Sequence, residues 1–190
     1  MRPRVPAAEF DRLYAADPDP WGFATSPYER EKYDATVLAL GGRRYRRGLE
    51  LGCSIGVLTA RLAAHCDLLL AVDLAEAALA QARGRLAALP HVRVARREIP
   101  EELPDGPFDL IVASEVLYYL DAPALEAAVE AVAAALEPGG SLLAVHWRPA
   151  TRTYPQGGDD VHARLAALGW PVGATARTPR YALDRFDRPA

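Results

Sequence analysis

The sequence predicts one α/β domain. A parallel sheet is wound on both faces by helices, a helical segment precedes it, and an antiparallel hairpin closes it. Three observations carry this. Between residues 47 and 147, short apolar runs alternate with stretches of helical periodicity. Those runs are apolar throughout rather than at every second position, as expected for strands covered on both faces. The last twenty residues then break the alternation with two neighbouring strand patterns. At 190 residues, 51% hydrophobic and 25% charged, the composition suits a single well-buried core.

The elements follow in order. "AAEFDRLYAA" (7–16) is helical, with Phe10, Leu13 and Tyr14 on one face. "DPDPWGF" (17–23) is a turn that brings Trp21 and Phe23 to the start of a second helix. That helix, within "SPYEREKYDATVLALGG" (26–42), has Ser26 as N-cap, Pro27 at the first position and Glu29 to close a capping box. Gly41 and Gly42 end it. "RGLEL" (47–51) is a strand, "VLTARLAAHC" (57–66) a helix, and "LLLAVD" (68–73) a fully apolar strand. "AEAALAQARGRLAAL" (75–89) is a helix with Leu79, Leu86 and Leu89 inward. "HVRVAR" (91–96) is the third strand, and "REIPEELPDGP" (97–107) an acidic, proline-marked loop. "FDLIVAS" (108–114) is a buried strand. Leu125, Val129, Val132 and Leu136 then recur at helical spacing before Pro138 and Gly139. "SLLAVHW" (141–147) is the fifth strand and "DDVHARLAALG" (159–169) a helix stopped by Gly169. "PVGATART" and "RYALDRFDR", split at Thr178-Pro179, form the final antiparallel pair. The order of strands in space does not follow from the residues.

Several functional classes lose support at once. A formal net charge of -3 lacks the basic footprint of a nucleic-acid binder, so no nucleic-acid partner is expected. No apolar run reaches membrane-spanning length, and "MRPRVPAAEFDRLY" has no apolar signal core. A soluble, cytoplasmic protein without a membrane partner is expected. Cys53 and Cys66 make no disulfide framework, and the four histidines have no metal-ligand spacing, so no metal site is expected. Lys32 is the only lysine; with the heavy alanine use it reads as a mark of GC-rich coding and carries no chemical message.

"LELGCSIG" (49–56) is the informative stretch. In an open parallel sheet, ligands bind outside the carboxyl ends of the strands, where strand order reverses, so this first strand-to-helix turn is the expected cradle. A dinucleotide fold wants GxGxxG, with backbone amides and a helix N-terminus around a pyrophosphate. Here only Gly52 and Gly56 remain, Ser54 stands between them, and an acid, Glu50, precedes the loop. An acid suits a cation better than a pyrophosphate. S-adenosylmethionine carries a sulfonium and an ammonium and no phosphate. Asp73, ending the second strand, can accept from both ribose hydroxyls. Glu98 follows the third strand, where it can accept from the adenine amino group, with Ile99 beside the ring. "DLIVASEVLYYL" closes the fourth strand with polar residues at the mouth.

"LELGCSIG", "AVDLAEAALAQAR" and "FDLIVASEVLYYL" resemble the motifs of class I S-adenosylmethionine-dependent methyltransferases. With the N-terminal "DPWGFATSPYEREKY", the chain is most similar to the NodS-like branch, which N-methylates an amino sugar during nodulation-factor synthesis. The resemblance implies a Rossmann-like methyltransferase domain over residues 43–190, with residues 1–42 as a helical lid of the same domain. It places Glu50, Gly52, Cys53 and Gly56 around the methionyl part, Asp73 on the ribose, and Leu74, Glu98 and Ile99 at the adenine. Ser114 falls near the amino-acid end. Ser54 stands where many methyltransferases have glycine, and Glu98 replaces the commoner aspartate.

Methyl transfer from a sulfonium is an in-line displacement that mainly requires alignment and a free lone pair, so an amine acceptor makes a catalytic base optional. Residues expected to face the methyl come from the N-terminal helix and the loops after strands four and five: Tyr28, Tyr33, Glu115, Tyr118, Tyr119 and His146. Glu115 is a candidate to hold the acceptor's ammonium, and His146 to take its proton near neutral pH. Trp21 either closes over the cofactor or anchors the N-terminal helix. The expected substrate is a small molecule, methylated on an amine nitrogen, with S-adenosylhomocysteine as coproduct. An O-methyltransferase and a noncatalytic S-adenosylmethionine-binding module are the alternatives.

Overall fold

A computed structural model describes residues 2–190. Seven strands form one sheet in the order β3-β2-β1-β4-β5-β7-β6. The strands are β1 (Tyr45–Leu51), β2 (Cys66–Asp73), β3 (Val92–Arg96), β4 (Phe108–Ser114), β5 (Leu136–Trp147), β6 (Val172–Arg177) and β7 (Tyr181–Asp187). β1 to β5 pair in parallel; β7 pairs antiparallel with both β5 and β6. The helices are α1 (Ala7–Ala16), α2 (Pro27–Ala39), α3 (Val57–Leu62), α4 (Glu76–Leu86), α5 (Ala122–Ala135) and α6 (Gly158–Ala166). This is the doubly wound α/β fold with the C-terminal hairpin that the sequence predicts.

Alternate residues of the central strands serve opposite cores. Leu49, Leu51, Ile111, Ala113, Leu142 and Ala144 pack with Leu125, Val129 and Val132 of α5 and Val161 and Leu165 of α6. Leu110, Val112, Leu143 and Val145 pack on the other face with Tyr33, Ala39 and Leu40 and with Leu58 and Leu62 of α3. Both faces are buried and apolar, so burial of apolar area at about 25 cal/mol per Å² acts on each side of the sheet.

Two boundaries move from their expected places, and one cap forms only in part. The first helix after β1 stops at Leu62; residues 63–65 tighten into a 3-10 turn, and Cys66 already belongs to β2. Leu136 leaves the helical pattern to begin β5, because the chain's far end pairs there. Gly139 N–H donates to Arg188 O (2.9 Å) and Arg188 N–H to Gly140 O (2.8 Å), while the Arg188 guanidinium donates to Ala133 O and Leu136 O. The capping box at α2 is half formed. Ser26 Oγ accepts from Glu29 N–H (3.4 Å), but the Glu29 carboxylate turns inward to Lys32, and Ser26 N–H donates to Gly22 O instead.

Within residues 1–42, expected as a helical lid of the same domain, the chain packs in two ways. Helix α2 buries Tyr33, Thr36 and Ala39 against the sheet and belongs to the core. The chain ahead of it lies over the carboxyl ends of the strands. It is tied there by Val5 N–H donating to Tyr119 O (2.9 Å) and by the Gln81 amide donating to Pro18 O (2.8 Å).

Candidate active site

Strand order reverses between β1 and β4, and a cavity opens there, at the carboxyl ends of the strands. Each parallel strand from β1 to β4 contributes its end to the wall. Glu50, Gly52, Cys53 and Ser54 come from β1 and its loop, Asp73 and Leu74 from β2, Glu98 and Ile99 from the stretch after β3, and Ser114 and Glu115 from β4. Trp21 and Tyr33 complete the wall from the N-terminal side. Of the residues expected in a cofactor cradle, the cavity wall omits Tyr28 and Gly56.

The loop after β1 is shaped by backbone conformation. Gly52 sits at φ +74°, and a Cβ there would lie 2.8 Å from Val116 Cβ, so only glycine fits. Gly56, at φ +78°, is the residue that opens α3, its absent Cβ leaving room for Ala82. Its part is to let α3 start close against α4. Ser54 between them is also left-handed, at φ 49°. Two contacts hold that unfavourable conformation: its N–H donates to Asp73 Oδ2 (2.8 Å), and its Oγ bonds the Tyr14 hydroxyl of α1.

Glu50 is the decisive group. It is 1% exposed, points toward α3, and keeps one carboxylate oxygen without a hydrogen-bond partner among the described residues. The Thr59 hydroxyl stands beside it without reaching hydrogen-bond geometry. Burial pushes the Glu50 carboxyl up to about 7, with the nearby Asp73 charge adding to the effect. Asp73 is raised by burial as well, an effect opposed by the N–H groups of Ala75 (3.0 Å) and Ser54 that point at it. A buried carboxylate with a free oxygen in a cavity wall is a site prepared for a cation that donates hydrogen bonds.

Lys32, the residue to which the sequence assigned no chemistry, is 2% exposed and bridges two acids. Its Nζ donates to Glu29 Oε1 (3.0 Å) and to Glu115 Oε1 (2.6 Å). Glu115 Oε2 accepts from Tyr118 Oη–H (2.5 Å) and from Trp147 N–H (3.0 Å). Glu115 itself is in the left-handed region, φ 56°. Its carboxylate thus accepts three hydrogen bonds from the protein, two on Oε2 and one on Oε1, which leaves a single lone pair on Oε1 for a further donor. Tyr118 is buried behind Glu115, outside the cavity wall, whereas Tyr119 lines it.

Two expected residues lie elsewhere. Tyr28 packs edge-on to Trp147 (5.9 Å) beneath Arg180, on the far side of the Lys32 cluster. His146 is 0% exposed and does not reach the cavity. It has the strand parity of Leu142 and Ala144, so it points at α6 rather than at the site. Burial and the neighbouring His162 hold it well below the ordinary histidine range, which removes it as a base toward an acceptor. Asp160, the third residue of α6, reaches back to the start of that helix, its carboxylate accepting from Gly157 N–H (3.2 Å). Glu98 is turned toward Arg4 (3.5 Å) at the cavity rim.

Several of the residues that sequence reasoning missed come from the chain ahead of α2. Arg4, Val5, Phe10, Tyr14 and Phe23 all line the cavity. Tyr14 was visible only as part of an apolar helical face. Its contact with Ser54 joins positions 40 residues apart, which no local pattern reveals. Among the described residues, no three His, Cys, Asp or Glu side chains converge in a way that could hold a metal ion, and no helix is long and apolar enough to cross a membrane.

Comparison with known proteins agrees with this geometry. The profile of the NodS (nodulation protein S) family matches residues 9–151. A Nodulation protein S of Rhizobium tropici is 35% identical over 135 residues, 70% of this chain and 56% of the relative. The Ubiquinone biosynthesis O-methyltransferase of Alkalilimnicola ehrlichii is 34% identical over 143 residues, 72% of this chain and 56% of that protein. The chain thus spans little more than half the length of these relatives. The crystal structure of the N-methyltransferase NodS from Bradyrhizobium japonicum WM9, in complex with S-adenosyl-L-homocysteine, superposes with a TM-score of 0.87 at 30% identity. It covers 97% of this chain and 98% of that one.

Proposed function

The chain belongs to the NodS family, and we propose that it is an S-adenosylmethionine-dependent methyltransferase that modifies an amine nitrogen of a small molecule. One observation carries the cofactor assignment: the buried Glu50 carboxylate with an unpartnered oxygen in the cavity wall. It fits the ammonium of a methionyl group and repels a pyrophosphate. Asp73, at the end of β2, is placed for ribose hydroxyls, and each of its oxygens has a second lone pair to offer beside the backbone N–H it already accepts. Leu74, Ile99 and Trp21 supply apolar walls suited to the adenine, and Glu98 a carboxylate at the rim. Cys53 and Ser114 complete the enclosure. Tyr14, Trp21 and their neighbours act as the lid.

When bound, S-adenosylmethionine supplies an electrophilic methyl group on a sulfonium. The chain's own residues then align and desolvate the acceptor. Its nitrogen lone pair forms the new N–C bond as the C–S bond breaks, and the proton left on the product nitrogen goes to water. Tyr33 and Tyr119 line the cavity beside Glu115 and bound the space left for the acceptor. Neither Glu115 nor His146 is poised there as a free base: Glu115 is held by the Lys32 ammonium, Tyr118 and Trp147 N–H, and His146 faces away. That favours an acceptor that is nucleophilic without deprotonation at the moment of reaction, a neutral amine rather than an alcohol. An amine on a deacetylated amino sugar or a similar polar metabolite is the proposed class, in keeping with the family.

Calorimetry with S-adenosylhomocysteine and with NAD tests the cofactor, and mass spectrometry on a panel of amino sugars tests the acceptor. Micromolar S-adenosylhomocysteine binding, no NAD binding and a single methyl on nitrogen are expected. NAD binding alone would overturn the cofactor assignment. A methyl on oxygen would replace the amine by the O-methyl alternative, and cofactor binding without turnover would mark a noncatalytic module.

A further inference from the structure

His146 on β5, His162 on α6 and Asp184 on β7 are buried and lie outside the cavity wall, yet they form one chain that ends at Leu117, in the turn whose Val116, Tyr119 and Leu120 line the cavity. Leu117 N–H, in the turn after β4, donates to His146 Nε2 (3.3 Å). His146 Nδ1 lies 3.2 Å from His162 Nε2, and His162 Nδ1 lies 2.6 Å from Asp184 Oδ2. Asp184 is itself held from β6: Thr175 Oγ1–H donates to Oδ1 (2.7 Å), and the Arg177 guanidinium donates to both oxygens (2.9 and 2.6 Å).

The hydrogens along this chain have only one arrangement. A backbone N–H is always a donor, so His146 Nε2 must present a lone pair, and its proton sits on Nδ1. That proton is donated to His162 Nε2, which must then be the acceptor. His162 therefore carries its own proton on Nδ1 and donates it to the Asp184 carboxylate. Both rings are neutral and both are Nδ1–H tautomers. Adding a proton to His146 Nε2 would set two donors against each other at Leu117.

The turn needs this support. Glu115 N–H makes the last bond to β5, at Val145 O (2.8 Å); Glu115 is left-handed (φ 56°) and Val116 lies outside the regular regions (φ -128°, ψ -46°), so the ladder has ended before Leu117. Leu117 is buried, and its N–H would lack a partner without His146. The same turn delivers Glu115, Val116, Tyr119 and Leu120 to the cavity.

We propose that Asp184, His162 and His146 are positioning residues: a relay locked in one hydrogen pattern that fixes the Leu117 amide and, through it, the turn bearing Glu115 and Tyr119. The catalytic part of this inference rests on reading the cavity as a methyltransferase site. The relay moves no proton during turnover. It determines where the acceptor wall stands.

Nitrogen-15 NMR of the imidazoles in the full-length protein, with a Gln/Leu comparison at His146, tests it. Two histidines are expected to show a protonated Nδ1 and a bare Nε2 at neutral pH. Glutamine places an amide oxygen close to the Nε2 position, so His146→Gln should keep kcat within about threefold, whereas His146→Leu and His162→Leu should lose about tenfold or more. S-adenosylhomocysteine affinity should change little in all three, since Glu50 and Asp73 lie outside the relay. A charged or Nε2-protonated His146 in the wild type overturns the relay whatever the variants do. So does a glutamine variant as impaired as the leucine one, the result expected of a true base. Should a leucine variant fail to fold, the wild-type spectrum and the glutamine variant still decide. Failure of the wild type to bind S-adenosylhomocysteine would instead overturn the function, with the tautomers judged by their own spectrum.

Discussion

Replacing Glu50 by Gln should make the cofactor-free protein more stable and its cofactor binding weaker. The two signs come from one cause. Burial raises the Glu50 carboxyl from 4.5 to about 7, so the native state holds the proton more tightly than the unfolded chain. The native state is favoured fully below pH 4.5 and loses that advantage as pH rises through about 7. Across that gap, at about 1.4 kcal/mol per pH unit, the charged side chain costs the empty protein up to about 3 kcal/mol above pH 7. Water entering the open cavity lowers the realised cost, and a gain of about 1–3 kcal/mol for Glu50→Gln at pH 8 is expected, or about 2–12 °C in Tm. Below pH 4.5 the two proteins should melt together.

Cofactor binding reverses the balance, because the ammonium brings the missing partner. Losing a hydrogen bond between charged groups costs about 1.5–3 kcal/mol, so S-adenosylhomocysteine should bind about 10–100-fold more weakly to the variant. Wild-type affinity should also fall as pH drops below about 7, since Glu50 must give up its proton to receive the ammonium. Thermal melts at pH 4.5 and 8 and calorimetry with S-adenosylhomocysteine read both effects. A variant less stable than wild type at pH 8, or one with unchanged affinity, refutes the reasoning.

Asp73→Ala should weaken S-adenosylhomocysteine by about 1–3 kcal/mol in calorimetry, the cost of leaving hydroxyls without a buried acceptor. Tyr14→Phe removes the bond to Ser54 Oγ that ties α1 to the cofactor loop, and stopped-flow fluorescence should show faster S-adenosylhomocysteine release with the fold intact. Lys32→Met leaves Glu29 and Glu115 buried without their shared cation, and urea unfolding at pH 7 should register a loss of about 3–5 kcal/mol. For an amine acceptor, the methylation rate should climb with pH toward the acceptor's own pKa and survive EDTA, as followed by coproduct release.

Much of this was legible before any fold was seen. Alternating apolar runs and helical periodicities determined the α/β class, and a Gly52-Gly56 loop preceded by Glu50 and followed by Asp73 marked the cofactor end of the sheet. These are local signals: a strand, its turn and the next helix are contiguous, and their chemistry is written within a few residues. Even the final hairpin showed, because its two strands are split by only a short turn at Thr178-Pro179.

Side-chain direction was not legible. A strand buried on both faces is apolar at every position, so "SLLAVHW" carries no alternation to reveal that His146 points to α6 while Val145 points to α2 and α3. Composition likewise hid Lys32, whose role exists only because α2 lies beside the end of β4 and brings Glu29 and Glu115 to one ammonium. Tyr14 and Ser54, His146 and Asp184, and Lys32 and Glu115 are each joined across tens of residues. Sequence spacing specifies which backbone each residue helps to form. Only the packing of one element on another decides which donors meet which acceptors.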